Sequence, residues 1–131
     1  MEIDHLGIAV PSLADAVAQW TPALGGPASA PEEVPTQRVR VSFLTVGSAH
    51  IELLEPTSAD SPVGRFLAER KGGLHHLAFR VPSVDAALRE QAARGARLID
   101  QVARPGARGC RVGFVHPAAF GGVLVEFVEG P

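Results

Sequence analysis

The chain starts twice. Asp4-His5-Leu6-Gly7-Ile8-Ala9-Val10-Pro11-Ser12 is answered 71 residues later by His75-His76-Leu77-Ala78-Phe79-Arg80-Val81-Pro82-Ser83, with His over His, Leu over Leu and Val-Pro-Ser over Val-Pro-Ser. At the same offset Arg40-Val41-Ser42-Phe43-Leu44 lies over Arg111-Val112-Gly113-Phe114-Val115. Gly47 to Glu55 lies over Gly121 to Glu129 at an offset of 74, which places three extra residues around Pro117 to Phe120. A period of half the chain means two copies of one supersecondary unit. Each copy opens with a histidine and closes with a glutamate, both inside apolar segments.

The pattern within each copy predicts β-α-β-β-β, and hence an α+β fold of two tandem modules. Ile3 to Val10 alternates as a strand, with Leu6, Ile8 and Val10 on one face and His5, Gly7 and Ala9 on the other. Ser12 is an N-cap for a helix whose stripe is Leu13, Ala16, Val17, Trp20 and Leu24, stopped by Gly25-Gly26. There is room for a strand in Ala28 to Val34; Val39 to Val46 and His50 to Leu54 read as two more. Ser61-Pro62 starts a linker helix ended by Gly72-Gly73. Leu74 to Val81 repeats the first strand, Ser83 caps a helix to about Arg94, and Ala96 to Ile99, Arg111 to Val115 and Val123 to Glu129 are the remaining strands. One domain over residues 1–131 is expected, with module one about 1–56, a linker helix about 57–72 and module two about 73–131.

Composition removes several function classes. A formal net charge of −2 and a pI near 6.2 carry no basic footprint for nucleic acid. No apolar run approaches membrane-spanning length, and the N-terminus lacks the charged and apolar regions of a signal peptide. The one cysteine, Cys110, excludes an intramolecular disulfide. Cytoplasmic placement is the expectation.

Four residues then recur by symmetry: His5 and Glu52 from the first copy, His76 and Glu126 from the second. Strand parity puts each opposite its module's aliphatic set. A lone histidine or glutamate in a strand is more often structural or solvent-facing than a ligand. Recurrence at matched positions in apolar runs points instead to one shared site, since a buried unpaired carboxylate costs several kcal/mol. Two imidazoles and two carboxylates suit a divalent transition metal, with positions left for a chelating substrate. Parity turns His75 away from His76; His50 reads as a rim residue, His116-Pro117 as a turn, and Cys110 shows no sign of activation.

The paired modules, with His and Glu at these positions, resemble the vicinal oxygen chelate (glyoxalase/bleomycin resistance-like) superfamily. Asp4 to Val10 resembles the start of its methylmalonyl-CoA epimerase family. So do Glu52-Leu53-Leu54-Glu55-Pro56, Asp60-Ser61-Pro62-Val63, Phe66-Leu67, Gly73 to Phe79, Pro105-Gly106-Ala107, His116-Pro117 and Gly121 to Glu126. The resemblance implies an open, curved mixed sheet around a metal-binding groove, with helices outside. It also implies a metal held by His5, Glu52, His76 and Glu126: one divalent ion per chain, Co²⁺, Zn²⁺, Ni²⁺, Fe²⁺ or Mn²⁺. The family's reaction epimerises methylmalonyl-CoA, or a close 2-substituted acyl-CoA, by 1,1-proton transfer through a metal-stabilised enolate. Glu126 is implied as one catalytic group and Glu52 as the other. A homodimer acting on a small acyl-CoA, with neither nucleic acid nor membrane as partner, is what the family suggests.

Two positions depart from that pattern. Val41 stands where some members carry a second catalytic glutamate, so Glu52, a water, or a different substrate has to account for the second proton transfer. Ala118 stands where many carry a basic residue, leaving Arg104, Arg108 and Lys71 as candidates for the coenzyme A phosphates. The alternatives within the superfamily are a glyoxalase I-type lactoylglutathione lyase and a non-catalytic, antibiotic-sequestering binding module.

Overall fold

The computed structural model describes residues 1–131. Its strands are β1 (Glu2–Ala9), β2 (Glu32–Val34), β3 (Val39–Val46), β4 (Ala49–Pro56), β5 (Gly73–Arg80), β6 (Arg104–Pro105), β7 (Arg111–Val115) and β8 (Val125–Glu129). Its helices are α1 (Leu13–Leu24), α2 (Pro62–Arg70) and α3 (Val84–Ala93), with 3₁₀ turns at Ala107–Gly109 and Pro117–Phe120. The strands form a mixed eight-stranded sheet in the order β2-β3-β4-β1-β5-β8-β7-β6. The chain divides into two compact units: His5–His75, and Met1–Asp4 together with His76–Pro131.

In the first unit β1 runs parallel to β4, and β4 pairs antiparallel with β3. Helix α1 makes that parallel crossover possible, since parallel neighbours need a long connection. Ser12 Oγ accepts from the Asp15 N–H and caps the helix, while Gly25 closes it in the left-handed region at φ 75°. The apolar stripe of α1 buries Leu13 and Ala16 against Val10, Leu44 and Leu53. Pro22 sits inside the helix, exposed and one turn from its end. Helix α2 begins at the Ser61 cap and packs within this unit; its left-handed C-cap is Lys71, at φ 62°, rather than a glycine.

The second unit repeats the plan. Strand β5 runs parallel to β8, and β8 antiparallel to β7. Ser83 Oγ accepts from the Ala86 N–H to cap α3, whose Val84 and Leu88 are fully buried with Val81, Val115, Val125 and Phe127. A second cap recurs in both units. The Glu55 carboxylate accepts from the Leu13 N–H at 3.1 Å, and the Glu129 carboxylate from the Val84 N–H at 2.7 Å. Each crossover helix is thus pinned at its positive end by the glutamate that closes the strand beneath it.

Two expected elements differ. Ala96 to Ile99 is not a strand: only an isolated bridge between Leu98 and Val115 forms there. The edge strand is instead β6, two residues inside the loop that the glycines and proline had marked as a turn. An edge position accommodates Pro105, which has no N–H to offer a ladder.

Helix α3 lies so close to β7 that a Cβ on Gly113 would sit 2.8 Å from Leu88 Cδ1 and 2.9 Å from Val84 Cγ1. Gly113→Ala therefore overpacks the second unit. We expect a loss of about 1–3 kcal/mol in urea unfolding, read as a lower midpoint at unchanged slope.

Candidate metal centre

Strand geometry builds the same small arrangement in each unit. In the first, the parallel register sets Gly7 opposite Glu52, so no side chain stands between the carboxylate and His5, two residues earlier. His5 Nε2 lies 3.3 Å from Glu52 Oε1. In the second, Ala78 stands opposite Glu126, and His76 Nε2 lies 3.0 Å from Glu126 Oε1. A phenylalanine meets each imidazole edge to face: Phe43 on His5 at 5.9 Å and 83°, Phe114 on His76 at 5.7 Å and 84°. Ring contacts of this kind fix the imidazole plane.

All four residues are buried, none more than 5% exposed. One donor atom from each of His5, Glu52, His76 and Glu126 lies within 4.8 Å of the other three. Two carboxylates held this close, away from water, repel each other and lose hydration. A divalent cation cancels both charges, and imidazole with carboxylate is the donor mixture that Zn²⁺, Co²⁺, Ni²⁺ and Fe²⁺ accept. The residues present therefore fit a metal ion of that class.

Comparison with known proteins gives the family. Residues 4–114 match the family model of the Glyoxalase/Bleomycin resistance protein/Dioxygenase superfamily. A Bacillus subtilis relative, the uncharacterized protein YqjC, is 41% identical over 127 residues, covering 97% of this chain and 91% of that protein. The ethylmalonyl-CoA/methylmalonyl-CoA epimerase of Cereibacter sphaeroides is 39% identical over 129 residues, covering 97% and 96%. A Streptomyces coelicolor methylmalonyl-CoA epimerase solved in complex with 2-nitronate-propionyl-CoA superposes with a TM-score of 0.95, at 35% identity over 99% of this chain and 94% of that one.

The chain belongs to this superfamily, in its methylmalonyl-CoA epimerase branch.

Against that family the remaining candidates fall into place. Val41 is buried opposite Leu54 and carries no proton-transferring group. His50 is half-buried with its ring 6.0 Å from Phe43, and His75 packs edge-on at 5.0 Å against Phe66 of α2. His116 Nδ1 accepts from the Ala118 N–H at 3.0 Å, which is the turn role expected of it. Cys110 is buried with its Sγ 3.2 Å from the Gly130 carbonyl. Lys71 is exposed at the end of α2. The Arg104 guanidinium lies over the Phe114 ring at 5.4 Å and 3.2 Å from Asp100.

Arg108 is committed elsewhere, in a group that sequence reasoning missed. Asp4 is 3% exposed. Its Oδ2 accepts from Arg108 Nη2 at 2.6 Å, and its Oδ1 from Arg80 Nε and Nη2 at 3.2 and 3.0 Å. The two partners stand far along the chain, so no local spacing announces them. The role of the two phenylalanines was also missed, although Phe43 over Phe114 was visible in the repeat.

Asp4→Asn keeps the shape of that group and removes the charge between two guanidinium ions. We expect a loss of about 1–2 kcal/mol in urea unfolding, at the low end for a buried pair because both arginines are about a third exposed. Bound divalent metal per chain, measured by elemental analysis, should be unchanged in the same variant.

Proposed function

We propose that this protein epimerises methylmalonyl-CoA, or a close 2-substituted acyl-CoA, with one divalent metal ion held by His5, Glu52, His76 and Glu126. The observation that carries the proposal is the buried quartet whose donor atoms lie within 4.8 Å, in a chain of the epimerase branch. Bound there, the ion would act as a Lewis acid toward the thioester and carboxylate oxygens and so acidify the proton on the carbon between them.

The chain's own residues supply the rest. Epimerisation needs a proton removed from one face of that carbon and one returned to the other. Glu126 and Glu52 are matched by the repeat, each beside its own histidine and backed by a small residue across the strand pair. We assign one face to each, with roles exchanged in the reverse direction. Val41 offers no proton, and that favours Glu52 over β3 as the second group. His5 and His76 hold position, with their planes fixed by Phe43 and Phe114. Burial of the quartet keeps bulk water from competing for the proton.

We further propose that residues 1–131 act as one functional domain, in a cytoplasmic homodimer. No helix is long and apolar enough to cross a membrane, and a single buried cysteine suits a reducing compartment.

Incubated in D₂O with methylmalonyl-CoA and Co²⁺, the protein should place deuterium on the α-carbon and interconvert the epimers. Chelation should abolish both, and added metal should restore them. Glu52→Gln and Glu126→Gln should each lower epimerisation about 10²–10⁴-fold. Each variant that still binds metal should retain solvent exchange with only one epimer. Absence of exchange in the fully loaded protein would reject the proposal. Conversion of the methylglyoxal–glutathione hemithioacetal in its place would assign the site to a lactoylglutathione lyase.

A further inference from the structure

The two units are copies, yet they differ in how the helix meets the sheet. In the second unit Val84 and Leu88 press directly on Gly113, leaving no room for a Cβ. The repeat places Leu13 over Val84, Val17 over Leu88 and Ser42 over Gly113. In the first unit Leu13 still packs on Leu44 and Leu53, but beside it a cavity of about 640 Å³ opens, lined by Leu13, Val17, Ala28 and Ser42 among others. It lies wholly within the first unit, on the face of β3 opposite Val41 and Phe43.

We propose that this cavity is a second binding site, taking a small uncharged molecule with a short aliphatic body and one hydroxyl or carbonyl group. The body is matched by Leu13, Val17, Pro27 and Ala28. The polar group is matched by two hydroxyls that border the cavity. Ser42, on the sheet, is 0% exposed and its Oγ has no hydrogen-bond partner; Thr21 Oγ1, on the helix, is likewise buried and unpartnered. Buried hydroxyls are nearly always satisfied, and two orphans beside one cavity mark where a ligand's polar atom belongs. Either can donate or accept after a turn about χ1, which suits a hydroxyl or a carbonyl.

Charge selects the neutral class. Arg40 and Glu55 stand together at the rim, Nη1 to Oε1 3.7 Å, and so cancel. The other oxygen of Glu55 holds the Leu13 N–H. A carboxylate ligand would face Glu55, and an ammonium ligand would face Arg40. Occupancy would also be felt across the strand, because Ser29, another lining residue, accepts the Phe43 N–H at 2.8 Å, and Phe43 carries His5 on its ring.

The site is tested by amide NMR titration of the full chain with hexan-1-ol, with hexanoate and hexylammonium as charged counterparts. The alcohol should give saturable shifts at Thr21, Ala28, Ser29, Ser42 and Phe43, and bind more tightly than either ion. Ser42→Ala, which keeps the Cβ and removes only an unpartnered hydroxyl, should weaken it about fivefold, the loss of one neutral hydrogen bond. Ala14→Phe, at an exposed helix position on the cavity wall, should block it while leaving the unfolding midpoint in place. Non-saturating shifts, tighter binding of an ion, or indifference to Ser42→Ala would overturn the proposal. So would movement of the same amides with protein concentration alone, which would mean that a second copy covers the cavity. None of these outcomes bears on proton exchange at the metal centre.

Discussion

The structure depends on a charge constraint: two glutamates and two histidines are kept almost entirely from water, with their donor atoms within 4.8 Å of one another. Left to themselves, two ionised carboxylates in such a place are among the most expensive groups a small protein can bury. The fold meets the demand by making one His–Glu pair twice. In each unit a parallel strand pair sets a small residue opposite the glutamate and a histidine two residues before it. Parallel pairing in turn requires a crossover helix, and each helix is pinned at its start by a second glutamate three residues beyond the first. The glutamate of the quartet and the capping glutamate therefore lie on one strand, one on each face.

That alternation explains how much of the site could be read in advance. His5, Glu52, His76 and Glu126 are found by period two within strands and by the offset between copies, both of which are properties of the chain alone. The helix starts were legible for the same reason: Ser12, Ser61 and Ser83 are local signals whose bonds span three residues. Asp4 was not legible. Its arginines are 76 and 104 residues away, and nothing nearby in sequence distinguishes it from a solvated strand residue. Ala96 to Ile99 failed differently: Ala96 and Leu98 pack against the core cluster of the second unit, Ile99 is exposed, and the segment meets β7 at the single Leu98–Val115 bridge. Lys71 shows the limit of reading glycines as stops: two glycines follow it, and the left-handed position still fell on the lysine.

The copies have diverged where the duplicated pair does not constrain them. The caps, the edge-to-face phenylalanines and the His–Glu pair persist in both units. Position 42 and its counterpart 113 do not: a serine beside a cavity in one, a glycine under a closed helix in the other. Both residues lie on the helix face of their strand, where neither ligand nor ring is at stake. The alternate residues of that strand, Val41 and Phe43, face the other way, and Phe43 meets the His5 ring.

Val41 has a consequence for the chemistry. A valine buried opposite Leu54 cannot donate or accept a proton, so this position of β3 supplies no base. A glutamate that both holds a metal and moves a proton pays for the second role with part of the first, because protonation weakens its bond to the ion. Were Glu52 and Glu126 to serve in this way, their matched surroundings would limit that cost: one would carry the proton while its counterpart, with both imidazoles, would leave three donors for the ion. Duplication of the half-site is thus more than an evolutionary trace. It is what would let four residues serve as ligand set and proton relay together.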